Sequence, residues 1–154
     1  MRIFLPATSA DLDNPDGVGA RRGHALTAVW RAAIGDEDPE TGEFATLLVA
    51  ADESVQRIGS TGATPLRVVI AADVPDAQVH APDQEAPPSG VLVDDVPWSA
   101  VVSIHVDDPD DGEVRDLVAR AAAGDEAALT GTGDVGLLWY DVTERGQLRE
   151  QLRS

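Results

Sequence analysis

The chain has 154 residues, of which 28 are acidic and 11 basic, for a formal net charge of −17. Every basic residue is arginine, and cysteine is absent. These counts exclude lysine Schiff bases, phosphate-loop lysines, thiolate nucleophiles, disulfides and thiolate metal sites.

Ile3 to Leu5 reads as a short buried strand stopped by Pro6. Residues 9–23, rich in Asp, Gly and Asn, read as an irregular connection. Over 24–34, Leu26, Val29, Trp30, Ala33 and Ile34 recur on one helical face, with Gly35 as the stop. Asp36 to Glu43 is an acidic turn that leads into a second helix. There Phe44, Leu47, Leu48, Ala51, Val55 and Ile58 form the inward stripe, and Gly59 to Thr64 ends it. Leu66 to Ala72 is β-branched and nearly all apolar, as in an interior strand covered on both faces.

The stretch at about 74–90 holds four prolines and reads as a loop or tether. Val91 to Val93 is a short strand. In the strand Val101 to Val106, Val102, Ile104 and Val106 share one face, while Val101, Ser103 and His105 share the other. Val114, Leu117, Val118 and Ala121 mark the inward side of a further helix. Residues 124–134 are small, polar and glycine-rich. Leu137 to Tyr140 is a late strand, and Leu148 and Leu152 dock a terminal helix over 143–153.

Without the extra helix pair and the short strand, the order is βαββαβ. The expected fold is therefore one α+β domain over 1–154, a ferredoxin-like split βαβ sheet with helices mainly on one face. An α/β doubly wound sheet is the alternative, favoured by the apolar continuity of 66–72. The N-terminus has no long apolar leader and no run approaches the ~20 residues of a membrane span, so the expected location is the cytoplasm. The negative field opposes nucleic acid and anionic membranes as partners. It leaves basic proteins and cations open.

Gly131, Gly133 and Gly136 spell the dinucleotide fingerprint, but a strand follows where a helix is needed, so the stretch reads as a turn. No HExxH, GxSxG or Walker pattern occurs. No cofactor is expected. Asp107, Asp108, Asp110 and Asp111 suggest calcium or magnesium ligands, yet Pro109 and Val118 stand where an EF-hand loop needs oxygen donors. These four are candidates for weak divalent-cation binding only; otherwise they are an acidic helix start. His105 and Asp107 are two apart in a strand and so point the same way. They are candidates for acid and base with Thr8, Asp73 and Tyr140 near strand ends, although no nucleophile or third group accompanies them. In Leu137 to Tyr140 the two aromatics face opposite ways, one toward the core and one toward an outer surface.

Arg2–Thr8, Val68–Asp76, His105–Asp108 and Leu137–Tyr140 occur together in an order and at spacings that resemble a family of short acidic actinobacterial proteins, known only as a domain of unknown function. The acidic stretch before Phe44 and the alanine-rich helix after it are similar too. Val135 and Gly136 stand where the family has a charged or histidine pair, so no role of that pair carries over. The resemblance implies an actinobacterial cytosolic protein and no activity. The expected function is non-catalytic binding or regulation through a protein partner, with self-association open. The alternative is a small enzyme or metabolite-binding protein using polar residues at strand ends.

Overall fold

A computed structural model describes residues 1–35 and 38–153. Asp36 and Glu37, the first acids of the expected turn, lie outside the described residues.

In chain order the strands are β1 (Arg2–Ala7), β2 (Arg21–His24), β3 (Val68–Asp73), β4 (Val79–His80), β5 (Gly90–Val93), β6 (Val101–Val106) and β7 (Leu138–Asp141). Among the described residues they form one seven-stranded sheet, ordered β4-β5-β2-β1-β3-β6-β7. Every neighbouring pair is antiparallel. The helices are α1 (Ala28–Ile34), α2 (Pro39–Thr61), α3 (Gly112–Ala122), α4 (Glu126–Thr132) and α5 (Arg145–Arg153).

The α+β class holds, but β1 and β3 are not the parallel strand pair that the expected βαββαβ order requires; the parallel pair around the helices α1 and α2 is β2 and β3, with β1 between them. In that expected order the strands flanking the first helix are parallel, with another strand between them. Here β1 and β3 are direct antiparallel neighbours, with Arg2 opposite Asp73 and Ala7 opposite Val68. The cause is β2, which lies inside the segment expected to be irregular. It turns the chain back before α2, so α2 delivers β3 running against β1. A second reversal separates β6 from β7, because α4 occupies part of the stretch expected to be glycine-rich loop. The doubly wound parallel alternative fails for the same reason.

Side-chain alternation builds two cores. Ile3, Leu5 and Ala7 share one face with Val68, Ile70, Ala72, Ile104 and Val106, covered by Leu12, Val18, Val96 and the α5 residues Leu148 and Leu152. Burying each of those two leucines contributes about 1.5–3 kcal/mol. Phe4, Val69 and Ala71 point to the opposite face, where Leu47, Ala50 and Ala51 of α2 cover them. The apolar run of 66–72 is thus explained by two-sided cover from α2 on one face and from α5 with non-helical segments on the other.

Helix α2 starts at Asp38, whose side chain accepts from Thr41 N, and stops at Gly62 in the left-handed region at φ 71°. Its outer side packs on α3 and α4: Val55 against Ala121 and Ala128, Ile58 against Val114 and Val118. A Cβ at Gly59 would lie 2.6 Å from the Ala122 carbonyl oxygen, so only glycine lets the two helices approach this closely. Helix α1 is shorter than expected, since His24 and Ala25 belong to the β2 region. Thr27 caps it by accepting from Trp30 N at 3.0 Å. Val29, assigned to its inward face by periodicity, is 65% exposed. Phe44 is exposed as well.

Helix α5 also binds the turn at 9–13. Arg145 Nη1 donates to the Leu12 carbonyl at 2.7 Å and its guanidinium stacks 4.6 Å over the Trp98 ring. Arg153 Nη2 donates to Asp13 Oδ1 at 2.8 Å.

Candidate functional site

The residues named from sequence as catalytic candidates do not meet. Asp107 is fully buried and belongs to Arg67. Arg67 Nη2 donates to Asp107 Oδ1 at 2.7 Å, Nε to Oδ2 at 3.0 Å, and the Arg67 backbone N to Oδ2 at 2.7 Å. The rest of the guanidinium donates to the carbonyls of Thr132 at 3.0 Å and Val135 at 3.2 Å. An ion pair taken out of water survives when nearly every donor and acceptor is matched in this way. The pair ties β3 to the end of β6 and to the C-terminus of α4, which leaves Asp107 no free lone pair for proton transfer.

His105 bonds instead with Ser103, Nε2 lying 2.9 Å from Oγ. Burial, with a smaller push from the Arg2 charge, lowers its pKa to about 4. The imidazole is neutral at pH 7. Thr8 is buried at the start of the turn at 9–13, where its backbone N donates to Asp11 Oδ2 at 2.9 Å. Asp73 lies at the other end of β3 from Arg67, paired with Arg2 at 2.6 Å. That hydrogen bond holds Asp73 below the ordinary carboxylate range. Tyr140 is opposite Ile104, whereas Trp139 is opposite His105, so Tyr140 and His105 are on different faces of the sheet. Burial and then the charges of Asp108, Glu144 and Asp110 raise the Tyr140 pKa.

The four aspartates considered as cation ligands are mostly engaged with the protein itself. Asp107 holds Arg67. Asp108 Oδ1 accepts from Asp110 N at 2.9 Å. Asp111 Oδ1 caps α3, accepting from Glu113 N at 3.1 Å and Val114 N at 3.2 Å. No group of three or more His, Asp or Glu able to hold a metal ion occurs among the described residues.

Sequence reasoning missed a second polar cluster, centred on β2. His24 Nδ1 lies 2.8 Å from Ser89 Oγ, and its Nε2 is 3.4 Å from Glu53 Oε2, an ion-pair contact too long for a good hydrogen bond. Arg22 Nη2 meets Glu53 Oε1 at 2.6 Å. Burial works against the Glu53 carboxylate, but His24 and Arg22 more than offset it and lower its pKa. A serine, a histidine and a carboxylate in line suggest nucleophilic catalysis. Ser89 and His24 are 0% and 1% exposed, however, so no substrate carbonyl reaches the hydroxyl. The chain of contacts cross-braces β2, the start of β5 and α2. On the other side of β2, Arg21 Nη2 pairs with Asp11 Oδ1 at 2.9 Å. The visible signal was a run of charged residues between two core segments.

Two large exposed apolar side chains stand on consecutive residues at the β7 edge. Leu138 and Trp139 are 41% and 61% exposed on a terminal strand. Immediately before it, Val135 and Gly136 wall an open groove of about 710 Å³ against α3, with Val114 and Leu117 in its lining. Asp111, Glu113, Asp116 and Asp134 rim it, with Arg120 as the single cation. Among the described residues, no helix is long and apolar enough to cross a membrane.

No curated protein and no solved structure matches the chain significantly. The segments Arg2–Thr8, Val68–Asp76, His105–Asp108 and Leu137–Tyr140 all fall within the stretch that a family model does match, residues 1–148. Over nearly its whole length, then, the chain belongs to a family of unknown function, DUF6912.

Proposed function

We propose that this protein is a non-catalytic cytosolic binding or regulatory protein that acts through a protein partner. The observation that carries this reading is the pair of large apolar side chains, Leu138 and Trp139, exposed on a strand that has a neighbour on one side only among the described residues. Exposed aromatic area beside an open sheet edge is what strand-adding partners recognise. The polar groups that catalysis would need are spent on one another: Asp107 on Arg67, Glu53 on Arg22 and His24, Asp73 on Arg2.

The test compares capture from native lysate by the tagged wild type and by a Trp139→Asp variant. The reading requires a protein retained by the wild type and reduced at least tenfold by the variant, with the two melting temperatures alike. Equal retention by both, or no retention together with a small metabolite that raises the melting temperature, sinks it in favour of the metabolite-binding alternative.

A further inference from the structure

We infer that β7 and the groove beside it receive an extended, positively charged segment of a partner protein, which adds to the sheet as an eighth strand. The inference rests on the protein-binding reading above and names the chemistry of the partner.

The two ends of the sheet are unequal. At one end, β4 is two residues long and its His80 pairs with Asp94 at 3.0 Å, a short edge of the kind that discourages addition. At the other end, β7 carries no proline, no bulge against β6 and no charge before Asp141. Its exposed side chains are Leu138 and Trp139. The Asp141 N–H is already donated to Glu144 Oε2 at 2.9 Å, so an added strand runs along Leu138–Tyr140.

Electrostatics decide the occupant. A strand laid on β7 continues past Gly136 over the groove, where Asp111, Glu113, Asp116 and Asp134 face a single arginine. Along β7 itself, Tyr140 feels Asp108, Asp110 and Glu144. A second copy of this chain would bring the same acids against these and a net charge of −17 against −17, which opposes self-pairing through this edge. An arginine- or lysine-bearing segment meets complementary charge on both flanks. Its residues on one face cover Leu138, and those on the other face lie on the side of Trp139 and of the groove lined by Val114 and Leu117, where the Trp139 ring offers a guanidinium a surface to stack on.

Three synthetic ten-residue peptides of alternating valine and a second residue (arginine, glutamate, or arginine with a central proline) test this against the full chain. Backbone amide shifts are followed by NMR. Binding of the arginine peptide is expected to move the amides of 137–140 and of 113–117. It should be at least tenfold tighter than that of the other two peptides. It should weaken between about 0.1 M and 1 M salt, where the screening length falls from about 10 Å to about 3 Å. An Asp116→Arg, Asp134→Arg double variant, altered only at exposed positions, should lose at least tenfold in affinity with its melting temperature unchanged.

Equal affinity for the arginine and glutamate peptides, no binding of either, or shifts elsewhere on the surface overturn the inference. So does a concentration-dependent dimer in sedimentation that Trp139→Asp abolishes, since a second copy is then the occupant. If lysate capture yields a partner while the arginine peptide fails, the broader reading stands and this one falls. If both fail, neither stands.

Discussion

Arg67 and Asp107 show how a charged residue comes to sit in an apolar strand. Leu66 to Ala72 reads as continuous core, and Arg67 interrupts it because the guanidinium finds a carboxylate and two carbonyls at the end of β6 and α4. Asp107→Ala strands that guanidinium in a dry site, for a loss of about 3–5 kcal/mol in urea unfolding. His105 belongs to the same scale. Its proton affinity is lower folded (pKa about 4) than unfolded (6.5), so the unfolded chain binds more protons between those values. Stability from this group is full above pH 6.5 and drains away as pH falls toward 4. The loss is at most about 3 kcal/mol and less to the extent that water reaches the ring. His105→Gln should flatten that part of the pH–stability curve relative to the wild type, as read by urea melts at pH 7 and pH 4.5. Sequence alone identified His105 as unusual, and its parity with Asp107 was legible. Its hydroxyl partner Ser103 and the loss of Asp107 to Arg67 were not, because both depend on which strand lies alongside.

At the scale of elements, strands and helices that bury an apolar stripe announced themselves, and those held by polar contacts did not. The α3 residues Val114, Val118 and Ala121 and the α5 residues Leu148 and Leu152 are buried where their spacing places them. Strand β2 reads Arg-Arg-Gly-His and offers no apolar alternation. It is a strand because Asp11, Glu53 and Ser89 take up its side chains. Glu53→Ala leaves Arg22 without its acceptor and should cost about 1–3 kcal/mol, measured by chemical denaturation. Helix α2 supplies a second prediction. At an ordinary helical site Gly→Ala gains about 1 kcal/mol. At Gly59 the added methyl meets the Ala122 carbonyl, so Gly59→Ala should instead lower stability by about 1–3 kcal/mol. A stabilised variant would show that α3 shifts away freely.

For the molecule as a whole, topology followed from a count of reversals that composition could not supply. One polar strand before α2 and one short helix after α3 each add a turn of the chain, so β1 and β3, and likewise β6 and β7, are direct antiparallel neighbours instead of parallel strands separated by a third. Net charge, by contrast, was fully legible and has a global consequence. With 28 acids against 11 arginines the folded state repels itself, so added salt should raise the melting temperature until screening saturates near about 1 M. Scanning fluorimetry across a sodium chloride series reads this directly, and a falling melting temperature over the same range would mean that the ion pairs outweigh the repulsion.

The docking of α5 reaches beyond the finished fold. Leu148 and Leu152 plug the same side of the sheet as Ile3 and Leu5, and Arg145 and Arg153 grip residues 12 and 13. The ribosome makes this helix after the seven strands of the described residues, so a nascent chain holds those strands before it has the helix that covers one side. Until α5 has left the exit tunnel, the part of that side under Leu148 and Leu152 stays wet and adhesive, so complete folding of the sheet waits for this helix.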